Sequence, residues 1–153
     1  MGTVIRDLKL LEPIIERATV CRIGFCRDDV PYVVPMNFGY RDGCVYLHSS
    51  AAGKKIDILR KNNNVCFEVD IDHDLVEADS ACAWTMRFRS VIGFGKASMI
   101  EDSEGKREAL DLIMAHYGKG GPHAYSDKHL GKVAVIKVVL EEVTARVHGY
   151  DDT

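Results

Sequence analysis

The stretch PYVVPMNFGYRDGCVYLHSSAAGKKIDILRK, residues 31–61, organises the rest of the chain. It predicts an extended segment from Val30 to Tyr40, a tight turn at Arg41-Asp42-Gly43, a second strand from Cys44 to His48, and a helix from Gly53 to about Lys61. Ile56 and Leu59 give that helix a buried side. The join between strand and helix carries Ser49, Ser50, two alanines, Gly53, Lys54 and Lys55. Hydroxyls, small residues that allow close backbone approach, the open N–H groups of a helix start and two ammonium groups converge there, which makes an anion site of phosphate type. The same residues also permit a simple helix start with solvated lysines.

Upstream, Leu8, Leu11, Ile15 and Ala18 share one helical face, with Pro13 either kinking that helix or marking its first turn. Thr19 to Cys26 predicts a strand and Arg27-Asp28-Asp29 a turn. Downstream, Asn62-Asn63-Asn64 ends the helix. Val65, Phe67, Val69 and Ile71 then alternate with Cys66, Glu68 and Asp70, the period of a half-buried antiparallel strand. Asp70 to Asp79 is acidic without period and is expected to be a loop. Ala81 to Ile100 is β-rich, with a bulge or bend expected at Gly93 and Gly95. Leu110, Ile113, Met114 and Tyr117 then follow helical spacing over Ser103 to Tyr117, with Asp102 or Ser103 as cap. Gly118 to Gly131 is expected to be a flexible loop, and Lys132 to His148 a closing strand. Six mostly sequential strands favour a mainly β antiparallel barrel with peripheral helices over a βαβ sheet. Neither a G-x-G-x-x-G fingerprint nor a P-loop is present.

The chain of 153 residues is expected to form one domain over 1–153. A net charge of -3 and a pI near 6.1 argue against a nucleic-acid partner, which needs a basic face. Short apolar runs broken by charge argue against a membrane span or a signal peptide, so a cytoplasmic protein is expected. The cysteines at 21, 26, 44, 66 and 82 show no CxxC and no histidine at zinc-finger spacing. Four of them fall inside predicted strands, where a free cysteine behaves as a small buried hydrophobe, so reduced thiols and no structural metal are expected.

The run Pro35-Met36-Asn37-Phe38-Gly39-Tyr40, the string His48-Ser49-Ser50-Ala51-Ala52-Gly53-Lys54-Lys55, and Trp84 with Arg89-Ser90-Val91-Ile92 and Gly95-Lys96-Ala97 resemble the flavin-binding split-barrel family. Within it, the chain looks like the branch of nitroimidazole-resistance proteins and, more distantly, pyridoxamine 5′-phosphate oxidase. The resemblance covers roughly residues 8 to 145. It implies a six-stranded antiparallel Greek-key split barrel and a homodimer with FMN in two clefts at the subunit interface. FAD is the less expected flavin, and some relatives carry haem.

By that resemblance the phosphate-binding basic pair falls on Lys54 and Lys55, and the assisting hydroxyl on Ser49 or Ser50. Pro35, Met36, Asn37 and Phe38 pass along the isoalloxazine ring, His48 stands close to the flavin as the candidate catalytic acid/base, and Arg89 and Ser90 contact phosphate or ribityl chain. Read as residues alone, Pro35 and Phe38 also suit an edge strand and a core, His48 a barrel end, and Trp84 a packing position. His116, His123, His129 and His148 are expected to be mostly solvated. The resemblance implies an FMN-dependent oxidoreductase, a flavin reductase or nitroreductase-like protein acting on a small organic acceptor. The alternatives are a non-catalytic flavin- or haem-binding storage or sensor module, and a pyridoxamine 5′-phosphate oxidase-like enzyme. The arginine-rich Arg-Leu-x-Pro ending of true oxidases is replaced here by His148-Gly149-Tyr150-Asp151-Asp152-Thr153, so oxidation of pyridoxamine 5′-phosphate is not expected.

Overall fold

The computed structural model describes residues 2–151; Asp152 and Thr153 of the C-terminal segment lie outside the described residues. In chain order the elements are β1 (Thr3–Ile5), α1 (Leu8–Arg17), β2 (Cys21–Arg27), β3 (Val30–Met36), β4 (Gly39–Arg41), β5 (Cys44–Ser50), α2 (Lys54–Lys61), β6 (Asn64–Val76), β7 (Thr85–Ile100), α3 (Ser103–His116), α4 (Asp127–Leu130) and β8 (Val133–His148). One antiparallel sheet runs β3-β2-β6-β7-β8-β5-β4, with β1 added to β8. Its end strands β3 and β4 follow each other in the chain but are not hydrogen-bonded, so the curled sheet stays open as a split barrel. The six strands expected are the six long ones; β1 and β4, of three residues each, are additions.

β8 is the spine. It pairs β7 along its length, and on its other edge pairs first β5, from Val133 to Val139, and then β1, from Ala145 to Val147. β3 carries Pro31 and Pro35 and lies at the sheet edge, where a residue without an N–H costs no ladder bond. Alternation drives the core: Val65, Phe67 and Val69 of β6 and Val91 of β7 are buried, while Cys66, Glu68 and Ile92 between them face outward. Phe38 is fully buried, 5.7 Å from Phe67 edge-on and 4.2 Å from the His116 ring. Its amide donates to the Tyr117 hydroxyl at 3.2 Å, which donates in turn to the Thr19 carbonyl at 2.7 Å. These contacts tie α3 across the gap between β3 and β4.

The structure corrects several expectations. The loop expected over Asp70–Asp79 begins only at Glu77: β6 continues to Val76 past an irregularity between Ile71 and Asp74, where Asp72 has φ 57°. β7 supplies the pairing partners, and Arg17, Arg87 and Arg89 neutralise Asp72 and Asp74, so tertiary pairing overrides the acidic composition. Pro13 lies within α1 and not in its first turn. The bend expected near Gly93 and Gly95 is a register shift between Phe94 and Gly95, where a Cβ on Gly95 would meet the Val139 carbonyl oxygen. The Gly118–Gly131 segment contains the short helix α4. All five cysteines are free, but only Cys21 is buried; Cys26, Cys44 and Cys66 are half-buried and Cys82 is exposed. Trp84 is not packed inside: it is 47% exposed, its indole N–H donating to the Ala78 carbonyl in the β6–β7 connection. His116 is no solvated histidine, since its ring rests on Phe38 and bonds the Ala18 carbonyl.

Candidate functional site

The join between β5 and α2 has the form that favours an anion. Gly53 stands at the N-cap with φ 131°, a conformation only glycine adopts easily, and no side chain caps the helix. The first N–H groups of α2 therefore keep their donor capacity at the positive end of the helix dipole. Space around Gly53 is open, with nothing within 4 Å of a built Cβ. Ser49 donates to the Ser50 carbonyl at 2.9 Å, holding the approach to the helix.

Lys54 and Lys55 stand in different surroundings. Successive helix positions are turned by about 100°. Lys54 is exposed, and its ammonium lies 4.4 Å from the centre of the Tyr32 ring, in a cleft of 360 Å³ that Arg27, Asp28 and Asp57 also line. Lys55 is half-buried. The basic character of the cleft is thus partly offset by two carboxylates.

Tyr32 links this cleft to the edge strand. Along β3, Tyr32, Val34 and Met36 pack against the core, while Val33, Pro35 and Asn37 are exposed. The unpaired edge of β3 offers backbone groups, and Asn37 offers an amide just past its end. Phe38 turns inward as a core residue, so of the four residues at 35–38 only Pro35 and Asn37 face solvent fully.

Arg89 and Ser90 are separated by the pleat. Arg89 turns to Asp72, at 2.7 Å, and lies 4.1 Å from the centre of the Tyr150 ring. Ser90 opens on the other face, in a 330 Å³ cleft with Phe88, Ile92 and Arg146. Ser50 pairs with Val133 and Ser90 with Arg146, so about 40 Å of strand path along β8 separates the anion join from Ser90 within one chain.

His48 pairs with Val135 and is exposed at the end of the sheet. Partial desolvation of the ring by its neighbours first, and then the charge of His129, lower its pKa below the usual histidine value. Both effects favour the neutral imidazole.

The model of the family described as Pyridoxamine 5'-phosphate oxidase matches residues 9–147. This chain belongs to that family. Among solved structures, a protein from Bacteroides thetaiotaomicron named for a proposed role in 5-nitroimidazole antibiotic resistance is 43% identical, with a TM-score of 0.86 over 96% of this chain and 87% of that one. The flavocytochrome Anf3 of Azotobacter vinelandii is 25% identical, with a TM-score of 0.82 over 97% of this chain and 72% of its own. An FAD and heme binding protein from Mycobacterium smegmatis shares the fold at 20% identity, with a TM-score of 0.87 over 98% of this chain and 76% of its own. An uncharacterized protein of Rhizobium meliloti is 32% identical over 56 residues, and the match spans 37% of this chain and about a third of that relative, 36%.

On this member of the pyridoxamine 5'-phosphate oxidase family, the sheet also assembles an ionic cluster that the sequence reading missed. Arg22 reaches Glu68 at 3.3 Å and Asp70, and His73 contacts Asp70 at 2.7 Å. Burial and the neighbouring Asp70 charge raise the Glu68 pKa despite Arg22. Arg22 pairs across strands with both Pro35 and Glu68, so the cluster borders the exposed side of β3. The alternation of Glu68 and Asp70 hinted at an outward row, but only the β2–β6 register places Arg22 in it. No helix among the described residues is long and apolar enough to cross a membrane.

Proposed function

We propose that the protein is a homodimeric FMN-binding oxidoreductase that passes electrons from reduced flavin to a small organic acceptor. The observation that carries the reading is the uncapped start of α2 beside Ser49, Ser50, Lys54 and Lys55, in a chain 43% identical to a protein named for nitroimidazole resistance. The terminal phosphate of FMN fits that helix start, because open N–H donors and two ammonium groups meet a dianion in open space. Flavin, when bound, supplies the electron-transfer chemistry.

This chain's residues bind, orient and move protons. Lys54, Lys55 and the α2 amides hold phosphate, and Ser49 or Ser50 assists. The free edge of β3 with Asn37 aligns the ring edge. His48, its neutral form favoured, accepts a proton at one ring nitrogen, which makes it a base more than the ready proton donor that an unperturbed imidazole would be. The distance along β8 between the α2 join and Ser90 supports a second copy supplying Ser90 and its strand to the cleft.

Purified protein is expected to be yellow, to release FMN on denaturation and to run as a dimer by light scattering. Bound flavin reduced chemically without oxygen should reoxidise faster with a nitroimidazole or a quinone than in buffer. Pyridoxal 5′-phosphate formation should be negligible. Reoxidation no faster than in buffer overturns the reductase reading in favour of a flavin-binding module without turnover. The flavocytochrome and FAD and heme binding neighbours favour a second reading, haem or FAD as the bound group; a Soret band or released FAD would select it.

A further inference from the structure

We propose that Trp84, in the β6–β7 arm, is the aromatic wall of the flavin site in a second copy of this chain, stacking its indole on the isoalloxazine ring. Trp84 thereby completes the flavin-binding dimer proposed above, on which this assignment rests. β8 ends at His148, opposite Phe88, so residues 74–76 and 85–87 project beyond it as a two-stranded arm. Every residue from 77 to 87 is exposed. A two-stranded arm is marginally stable alone and gains stability only when something covers it. It is nevertheless rich in apolar side chains: Leu75 pairs across it with Met86, at 51% and 40% exposure, and Trp84 stands at 47%. Trp84 enters β7 in extended backbone, φ -64° and ψ 136°, and so lies on the side of the strand that carries Met86, Phe88 and Ser90.

The indole is set for a flat partner. Its N–H donates to the Ala78 carbonyl at 2.7 Å, and the Trp84 amide donates to the Ala81 carbonyl at 3.3 Å. The one polar atom of the ring is thus satisfied within the arm, and what the ring shows to solvent is apolar. Asp74 and Arg87 meet at 3.6 Å at the root, and the Thr85 hydroxyl meets the His148 ring at 3.1 Å, which fixes the arm against the sheet. A ring held in this way loses little freedom when a ligand stacks on it. Trp84 lies six residues beyond Ser90, so about 60 Å of strand path separates it from the α2 start of its own chain. In a second copy it accompanies Ser90. Six extended residues span about 20 Å, the order of an outstretched FMN, so a strand whose Ser90 meets the ribityl chain carries Trp84 to the ring. The isoalloxazine offers a flat π-face of the kind on which aromatic side chains stack.

The chain has a single tryptophan, so the test has one reporter. Indole quenches flavin emission by electron transfer at contact, and phenylalanine does not. FMN bound to the purified chain is expected to be dim, and Trp84→Phe to brighten it by about threefold or more with FMN affinity held within about threefold. Trp84→Ala should weaken FMN and riboflavin alike, by about fivefold to fiftyfold, because the ring and not the phosphate loses its partner. The decisive sample is a heterodimer of Trp84→Phe with the double variant Lys54→Ala, Lys55→Ala, co-expressed and purified through two tags, in which the intact cradle belongs to the Trp84→Phe chain. Its flavin should be as dim as in the wild type, since the other chain supplies the tryptophan. A bright heterodimer places Trp84 beside its own chain's flavin, and unchanged emission in Trp84→Phe places it beside none; either result overturns the proposal and leaves FMN binding intact. A wild type that binds no FMN, or that stays monomeric by light scattering, removes the proposal together with the reading beneath it.

Discussion

The Lys54 ammonium sits over the face of Tyr32, 4.4 Å from the ring centre, and so connects the start of α2 with the edge strand β3. A cation held on a ring is positioned but still able to meet an anion. Lys54→Ala and Lys55→Ala should each weaken FMN binding by about 10- to 100-fold, from 1.5–3 kcal/mol per charge-assisted contact. Tyr32→Leu should cost only about twofold to fivefold, the worth of an exposed cation–π contact. Riboflavin, which lacks the phosphate, should bind wild type and lysine variants alike in a fluorescence titration. A double lysine variant that loses less than about threefold in FMN affinity places the phosphate elsewhere.

Tyr117 fastens α3 to the open side of the barrel through its hydroxyl, which serves the Phe38 amide and the Thr19 carbonyl together. Phe38 is fully buried, so Tyr117→Phe leaves its amide without that acceptor. The expected loss is about 1–3 kcal/mol in urea unfolding, with the m-value unchanged. A loss below about 0.5 kcal/mol would show that water replaces the hydroxyl freely.

Proton uptake by His48 is opposed by partial desolvation and by His129. A base whose folded pKa lies below its unfolded value lets the unfolded chain bind more protons, so stability rises with pH across that interval. Acidification below about pH 6.5 should therefore destabilise the wild type, and His48→Gln should reduce that dependence. By NMR the His48 ring should titrate below the usual histidine midpoint, and His129→Ala should move it upward. An unmoved midpoint in His129→Ala would leave desolvation as the sole cause.

Gly95 sits where β8 takes up the register shift, and an added Cβ would collide with the Val139 carbonyl oxygen. Backbone cannot yield as a flexible side chain does. Gly95→Ala should cost about 3 kcal/mol or more, whereas Gly120→Ala, with nothing within 4 Å of a built Cβ, should stay within about 0.5 kcal/mol. Thermal unfolding of the two variants decides, and a tolerated Gly95→Ala would mean that the β7–β8 shift can slide.

Periodicity in the sequence determined the long elements. Val65, Phe67 and Val69 alternate in β6, and Leu110 and Ile113 repeat in α3, because burial on one face of a strand or helix is a local pattern. The α2 start was equally legible, since its glycine, serines and lysines are contiguous and their chemistry needs no distant partner. The opposite facing of Arg89 and Ser90 was also present in the sequence, as adjacent strand residues must diverge. What lies beyond each face was not. Only the tertiary structure decided that residues 74–76 pair with β7, that Arg22 joins Glu68 and Asp70, and that α1 brings Lys9 and Arg17 beside Arg89. Arg22 and Glu68 stand 46 positions apart and Arg17 and Asp72 stand 55 apart, and the energy of such contacts comes from register and packing across the sheet. Local propensity carries no record of it, because strand order is set by which distant faces bury one another.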